Sequence, residues 1–387
     1  MLKNQAERGV MPSTPSACIL SSGRNPNDER MYYKIARSLL KKGAGIVIIA
    51  PGAWDHRFDD GIEFVPIPKR RSRWNRIGTW RALYREALKH PAGVYQCEEI
   101  DSWLIGWLAA RKTGARLVYD AHEFDPAQVA GRAPRFVRGL LGLATGVMER
   151  FLARRTQAIF VANDIVRGYF LLLDRFAKIE VLENAPVLSL FKESGPPRPG
   201  PLLCHEGSLN FDRGLKMMLR LLARLRGDGI KADLRIVGDV FGAEREWLER
   251  EVPAAGLEGS VQRTGWLQYP EVGAALEGCS IGLITMHPIP SNMLSGRPNK
   301  LFNYMRYGIA VIAPDFPEIA KIVREEQCGL VYNPGDEESL FQAVMTLAKD
   351  EEMRMRMGAN GRNAVLEKYH WEKMEERLFS LYPGIRA

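Results

Sequence analysis

Short apolar runs recur along the chain, separated by stretches in which apolar positions return every three or four residues. The run ACILSS (17–22) ends in Gly23; after the polar loop RNPNDER, MYYKIARSLLKKG has a helical pattern, and GIVIIAP (45–51) reads as the next strand. Strand, loop, helix and strand make the unit of a parallel sheet, whose strands are buried on both faces and so read as continuous apolar runs. VYQCE (94–98), RLVYDAHE (116–123), AIFVAN (158–163) and IEVLEN (179–184) repeat the theme.

KESGPPRPGPL (192–202) holds four prolines and two glycines in eleven residues. It can be neither regular helix nor central strand, which makes it the expected interdomain linker. The theme then restarts: strands at 202–208, 234–239, 261–266, 281–286, 310–314 and 329–333, with helices at 214–226, near 243–255, and at 299–307, 337–349 and 351–367. The expected fold is α/β, with two Rossmann-like doubly wound parallel-sheet domains facing a central cleft. The first covers 1–192, the second 201–369, and a helix within 370–387 crosses back to the first.

The 387 residues are enough for two cores, and 46% apolar with 26% charged residues suits a globular protein. No apolar run approaches the roughly 18 residues that span a bilayer. The first residues lack a signal-peptide core, so a cytoplasmic location is expected. Cys18, Cys97, Cys204, Cys279 and Cys328 are odd in number and widely spaced, which argues against a disulfide framework or zinc cluster. The net charge of +8 is uneven: residues 1–195 hold 30 Lys and Arg against 20 Asp and Glu, residues 196–387 hold 24 against 26. A basic first half points to an anionic partner.

A strand followed by a small-residue loop and a helix start presents free N–H groups and a positive helix end to an anion. HEGSLNFDRGLK (205–216) does so with Gly207, Ser208, Arg213 and Lys216. RPNKLFNYMRYG (297–308) does so with Arg297 and Lys300 flanking Pro298, beside Asn299, Leu301 and Asn303. Two cations and two helix starts facing one cleft suit a diphosphate.

In order, G-S-L-N-F-D-R-G-L-K, L-R-I-V-G-D, R-T-G-W, P-N-K-L-F-N-Y-M-R-Y-G-I-A-V-I-A-P-D, G-L-V-Y-N-P-G-D-E-E-S-L and Y-H-W resemble the C-terminal half of the family-four glycosyltransferases of GT-B fold, glycosyltransferase group 1 type. In the first half, S-S-G-R-N-P-N-D-E-R, with Gly23, Asp28 and Arg30, and V-Y-D-A-H-E-F look like the acceptor-side loops of that superfamily. The resemblance implies a nucleotide-sugar donor and a retaining, hexosyltransferase-like reaction. It implies that an Arg and a Lys hold the diphosphate; Ser208 stands at the Arg position and Arg213 at the Lys position. It implies two glutamates eight positions apart, one near the donor sugar and one on the ribose; Ser295 and Asn303 stand at those places. Asn303 can still accept and donate, at a loss of charge assistance on the order of 1–2 kcal/mol.

By the same resemblance His122 contacts the transferred sugar, while Asp120 and Glu123 orient that His, act on the acceptor or cap the following segment. The other histidines, including His56, His90 and His205, show no metal-like spacing. No D-x-D sequence occurs, which fits a metal-independent reaction with no cofactor beyond the donor. KRRSRWNRIGTWRALYREALK (69–89) and RFVRGLLGLATGVMERFLARR (135–155) read either as surfaces for anionic lipid, bearing a lipid-linked or surface-polysaccharide acceptor at the inner face of the plasma membrane, or as solvated helix faces. Nucleic acid is not an expected partner. The rival readings are a degenerate, non-catalytic subunit and a nucleotide-sugar epimerase of the same fold.

Overall fold

The structure is a computed structural model and describes residues 16–69, 76–121, 135–190, 200–294, 296–382 and 384. It divides into two compact units, Met1–Glu183 with Lys373–Ala387, and Asn184–Glu372.

The first unit is built on β1 (Ala17–Leu20), β2 (Ile46–Pro51), β3 (Arg57–Asp59), β4 (Ile62–Ile67), β5 (Val94–Cys97), β6 (Arg116–Ala121), β7 (Ala158–Val161) and β8 (Ile179–Val181). Their order is β3-β4-β2-β1-β5-β6-β7-β8, parallel throughout except for β3 against β4. Cys18, Leu20, Val47, Ile49, Val65 and Ile67 form one core with Ala82, Leu83 and Ala87 of the helix Arg76–Lys89. Trp103, on the helix Ile100–Thr113, stacks on Tyr119 with ring centroids 3.9 Å apart. From Lys373 onward the last helix, Trp371–Leu381, belongs to this unit: Glu375 accepts from Ser38 and Lys41, and Arg377 donates to the Val181 carbonyl.

The β3–β4 hairpin is not among the expected elements, because the three residues of β3 carry no periodicity and Pro66 interrupts the run of β4. Its signal was the dipeptide Asp60–Gly61: both residues have positive φ, 49° and 80°, as a two-residue hairpin turn whose twist matches its strands requires.

The second unit carries β9 (Leu202–Glu206), β10 (Asp233–Val237), β11 (Val261–Arg263), β12 (Ile281–Leu283), β13 (Ala310–Pro314) and β14 (Gly329–Tyr332). All pair in parallel in the order β11-β10-β9-β12-β13-β14. Helices Leu215–Gly227, Gly242–Ala254, Asn299–Arg306, Glu337–Lys349 and Glu351–Glu367 follow the expected ranges closely. Most of the proposed linker lies outside the described residues. All five cysteines are buried and free, and among the described residues no helix is long and apolar enough to cross a membrane.

Candidate functional site

In the second unit, β9 ends at Glu206 and the chain turns at Gly207, whose φ of 92° favours glycine. Gly207 N donates to the Val237 carbonyl and Leu209 N to that of Asp239, so the turn lies against the end of β10. The following loop enters the helix Leu215–Gly227 through Gly214, at φ 85°. A Cβ there would sit 2.1 Å from the Thr285 carbonyl oxygen, so only glycine lets the loop approach β12 this closely. The half-buried Arg213 side chain folds back, its guanidinium donating to the Ser208 carbonyl at 3.0 Å.

The helix Asn299–Arg306 starts directly after Pro298 and presents Lys300, Asn303 and Tyr304 to the end of β9. Lys300 Nζ donates to His205 Nε2 at 3.1 Å, and Asn303 Nδ2 donates to Glu206 Oε1 at 2.8 Å. Tyr304 Oη accepts from Glu206 N at 2.8 Å, its ring lying where a Cβ on Gly282 would be. Strand and helix are thus stitched by three consecutive polar contacts, all buried.

Burial, then the Arg213 guanidinium, pushes the Lys300 amine down to about 7, against the opposing pull of Glu206. Burial and the same two cations hold the His205 imidazole well below its ordinary range, so it is neutral and can accept from Lys300. The end of β9 is therefore a small cationic site with a carboxylate beside it.

Several expected members stand elsewhere. Lys216 lies over the Phe211 ring, 4.3 Å from its centroid, and also faces Trp247, so it does not join Lys300. Arg297 is buried in an ion pair with Glu318 at 3.1 Å, which draws its charge away from the open loop. Leu301 is fully buried core, and Asn299 opens the helix. Ser295 lies outside the described residues. His205 and Glu206, absent from the candidate list, are the residues the structure adds. Beside the Gly207 turn, a cavity of about 450 Å³ opens at the carboxyl ends of β10 and β11, lined by Gly238, Asp239, Arg245, Arg263, Thr264 and Gly265.

In the first unit, Asp120 at the end of β6 is wholly buried, and its two oxygens accept from Arg30 Nη2 and Nε, each at 2.7 Å. Arg30 also donates to the Leu182 carbonyl at 2.6 Å. This pair ties the helical segment Glu29–Ala36 to the ends of β6 and β8. Asp28 caps that segment through the Arg30 and Met31 amides, and Gly23 N donates to Ser21 Oγ at 3.3 Å. Ser21, Ser22 and Arg24 gather around Glu99 instead. His122 and Glu123 lie outside the described residues. On the helix Arg138–Ala153 and the turn before it, Phe136, Leu140, Leu143 and Val147 form one exposed stripe, each 62–88% accessible.

Two family models match the chain, one described as a glycosyl transferase 4-like domain over residues 29–185 and one as glycosyl transferases group 1 over residues 188–364. A curated relative, alpha-D-kanosaminyltransferase of Streptomyces kanamyceticus, is 24% identical over 48% of this chain and 46% of its own length. The matched stretches span 31% to 57% of the lengths of the curated relatives. Among solved structures, sucrose-phosphate synthase from Thermosynechococcus elongatus superposes with TM-score 0.77 at 16% identity, over 95% of this chain and 98% of that one. Anabaena HepE, in complex with UDP-glucose, superposes with TM-score 0.69 at 14% identity, over 94% and 98%. At such identities the likeness is one of fold, and the fold is GT-B.

Proposed function

Because this chain belongs to the group 1 glycosyl transferases, we propose that it moves a hexose from a nucleoside-diphosphate sugar to a glycan or lipid-linked acceptor, with retention and without a metal at the diphosphate. The observation that carries this reading is the buried Lys300 amine, whose hydrogen-bond neighbour is a neutral imidazole and whose proton is held only weakly. A diphosphate seated at the Gly207 turn supplies the missing negative charge, with Arg213 as the second cation. Both stabilise the nucleoside diphosphate as the glycosidic bond loosens and charge collects on the leaving oxygen.

Glu206, oriented by Asn303, takes over the ribose hydroxyls: the carboxylate that the helix lacks at position 303 is supplied by the neighbouring strand. The cavity at the ends of β10 and β11, whose Gly238 packs against Gly207, receives the base. In this reading His122 contacts the transferred sugar. The apolar stripe on the helix Arg138–Ala153, with Arg138, Arg150, Arg154 and Arg155 on or beside that helix, supports peripheral contact with an anionic membrane that carries the acceptor.

The test is a thermal-shift panel of UDP-, GDP-, ADP- and dTDP-sugars, led by UDP-glucose. A ligand at 100 times its Kd stabilises the fold by roughly 2.7 kcal/mol. A shift with one nucleotide that disappears in Arg213→Ala and Lys300→Met supports the donor site. Nucleotide release that depends on an acceptor, and is lost in His122→Ala, supports transfer. Absence of a shift with every nucleotide overturns the reading in favour of a non-catalytic subunit.

A further inference from the structure

Three side chains from a hairpin and a helix end converge in the first unit. His56 precedes β3, Glu63 is the second residue of β4, and His90 follows the helix Arg76–Lys89. Their ligand atoms all lie within 4.8 Å of one another: His56 Nε2 is 2.8 Å from Glu63 Oε1, and His90 Nε2 is 3.5 Å from the same oxygen. Alternation along β4 puts Glu63 on the face of Val65 and Ile67, which the helix Arg76–Lys89 covers, and His90 reaches it from that helix's end. The cluster belongs to the amino half of β4, opposite the strand ends where α/β ligands bind.

The His90 ring is oriented from behind. Its Nδ1 is 2.9 Å from the Glu86 carbonyl oxygen, which can only accept, so Nδ1 carries the proton. That leaves Nε2 as the ring nitrogen facing the Glu63 carboxylate, 3.5 Å away, and the atom placed to coordinate a cation shared with it. A second ring nitrogen anchored on a carbonyl is also how metal-ligating histidines are set in orientation. Glu86 itself is engaged by Lys89 and Arg85, so it does not compete for His90.

We propose that His56, Glu63 and His90 form a divalent transition-metal site, with Zn²⁺ as the ion and one position left for water. Two imidazoles and one carboxylate are a zinc donor set, and zinc–ligand bonds of about 2.0–2.2 Å separate tetrahedral ligand atoms by roughly 3.4 Å. The 3.5 Å separation meets this as it stands, and the 2.8 Å contact opens by a rotation of His56, whose side chain is 58% exposed. The bound ion pins the short β3–β4 hairpin at the sheet edge to the end of the helix Arg76–Lys89 through one coordination link.

The test uses the full chain without a histidine tag, stripped with a chelator and titrated with Zn²⁺ against a chromophoric chelator. One equivalent should bind, Co²⁺ should give the visible absorption of a tetrahedral site, and Zn²⁺ should raise the melting temperature. Glu63→Gln and His90→Gln should each weaken binding by roughly tenfold or more. His56→Ala, at a largely exposed side chain, should do the same, and an unchanged melting temperature of the metal-free variant guards against a folding artefact. No stoichiometric binding by the folded wild type, or binding undiminished in all three variants, overturns the proposal.

Discussion

Asn303 donates its side-chain amide to the Glu206 carboxylate at 2.8 Å, both residues buried, one on a helix and the other at the end of the strand beneath it. Asn303→Asp would set two carboxylates against each other, raising the pKa of one above its unfolded value. Stability of that variant should be retained at acidic pH and fall as pH rises, with a loss of about 1–3 kcal/mol near neutrality by urea denaturation. The exchange Glu206→Gln with Asn303→Asp restores an amide–carboxylate pair and should recover most of that loss and part of the nucleotide binding.

Lys300 links the same site to pH. Its amine is held at about 7 in the folded protein, against 10.5 in an unconstrained chain. Between those values the unfolded state binds the additional proton, so this group makes stability rise with pH through that window. Lys300→Met should flatten the rise, measured as the urea midpoint at several pH values from neutral upward. Binding of a nucleoside diphosphate should raise the amine's pKa, so titration calorimetry slightly above neutral pH should show proton uptake in wild type and less in Lys300→Met.

Arg30 and Asp120 form a buried two-bond ion pair across the first unit. Asp120→Asn should destabilise by roughly 3–5 kcal/mol, because an uncompensated guanidinium is left in the interior. The apolar pair Arg30→Met with Asp120→Leu should recover much of this in the same denaturation assay. An Asp120 that acted on substrate would give the opposite pattern, with activity lost and stability kept.

The stripe Phe136, Leu140, Leu143 and Val147 makes membrane contact testable. Wild type should sediment with vesicles of anionic phospholipid, and less so as salt increases. Leu140→Glu with Leu143→Glu should abolish sedimentation while leaving the melting temperature and nucleotide shift unchanged, since both side chains already face water.

Much of this protein is fixed by local pattern. Short, β-branched apolar runs such as IVIIA and AVIAP read as strands covered on both faces, and the turn and helix signals between them point to parallel α/β sheets. Arg213, Lys300 and Asn303 were legible as site candidates because each stands at a fixed offset from a strand end or helix start. What each candidate does was decided by tertiary partners. Glu206 lies 97 positions from Asn303, His205 lies 95 from Lys300, and Arg30 lies 90 from Asp120, and no periodicity encodes such meetings. Lys216 has the right position for a phosphate ligand, yet two aromatic rings claim its charge, and Glu318 claims that of Arg297. The histidines that look unrelated by spacing, His56 and His90, meet over Glu63 because a hairpin and a helix end are folded onto one sheet edge. Short-range periodicity determines which elements form; only the packing of those elements brings side chains within hydrogen-bond or Coulomb range, and that range is where the chemistry is set.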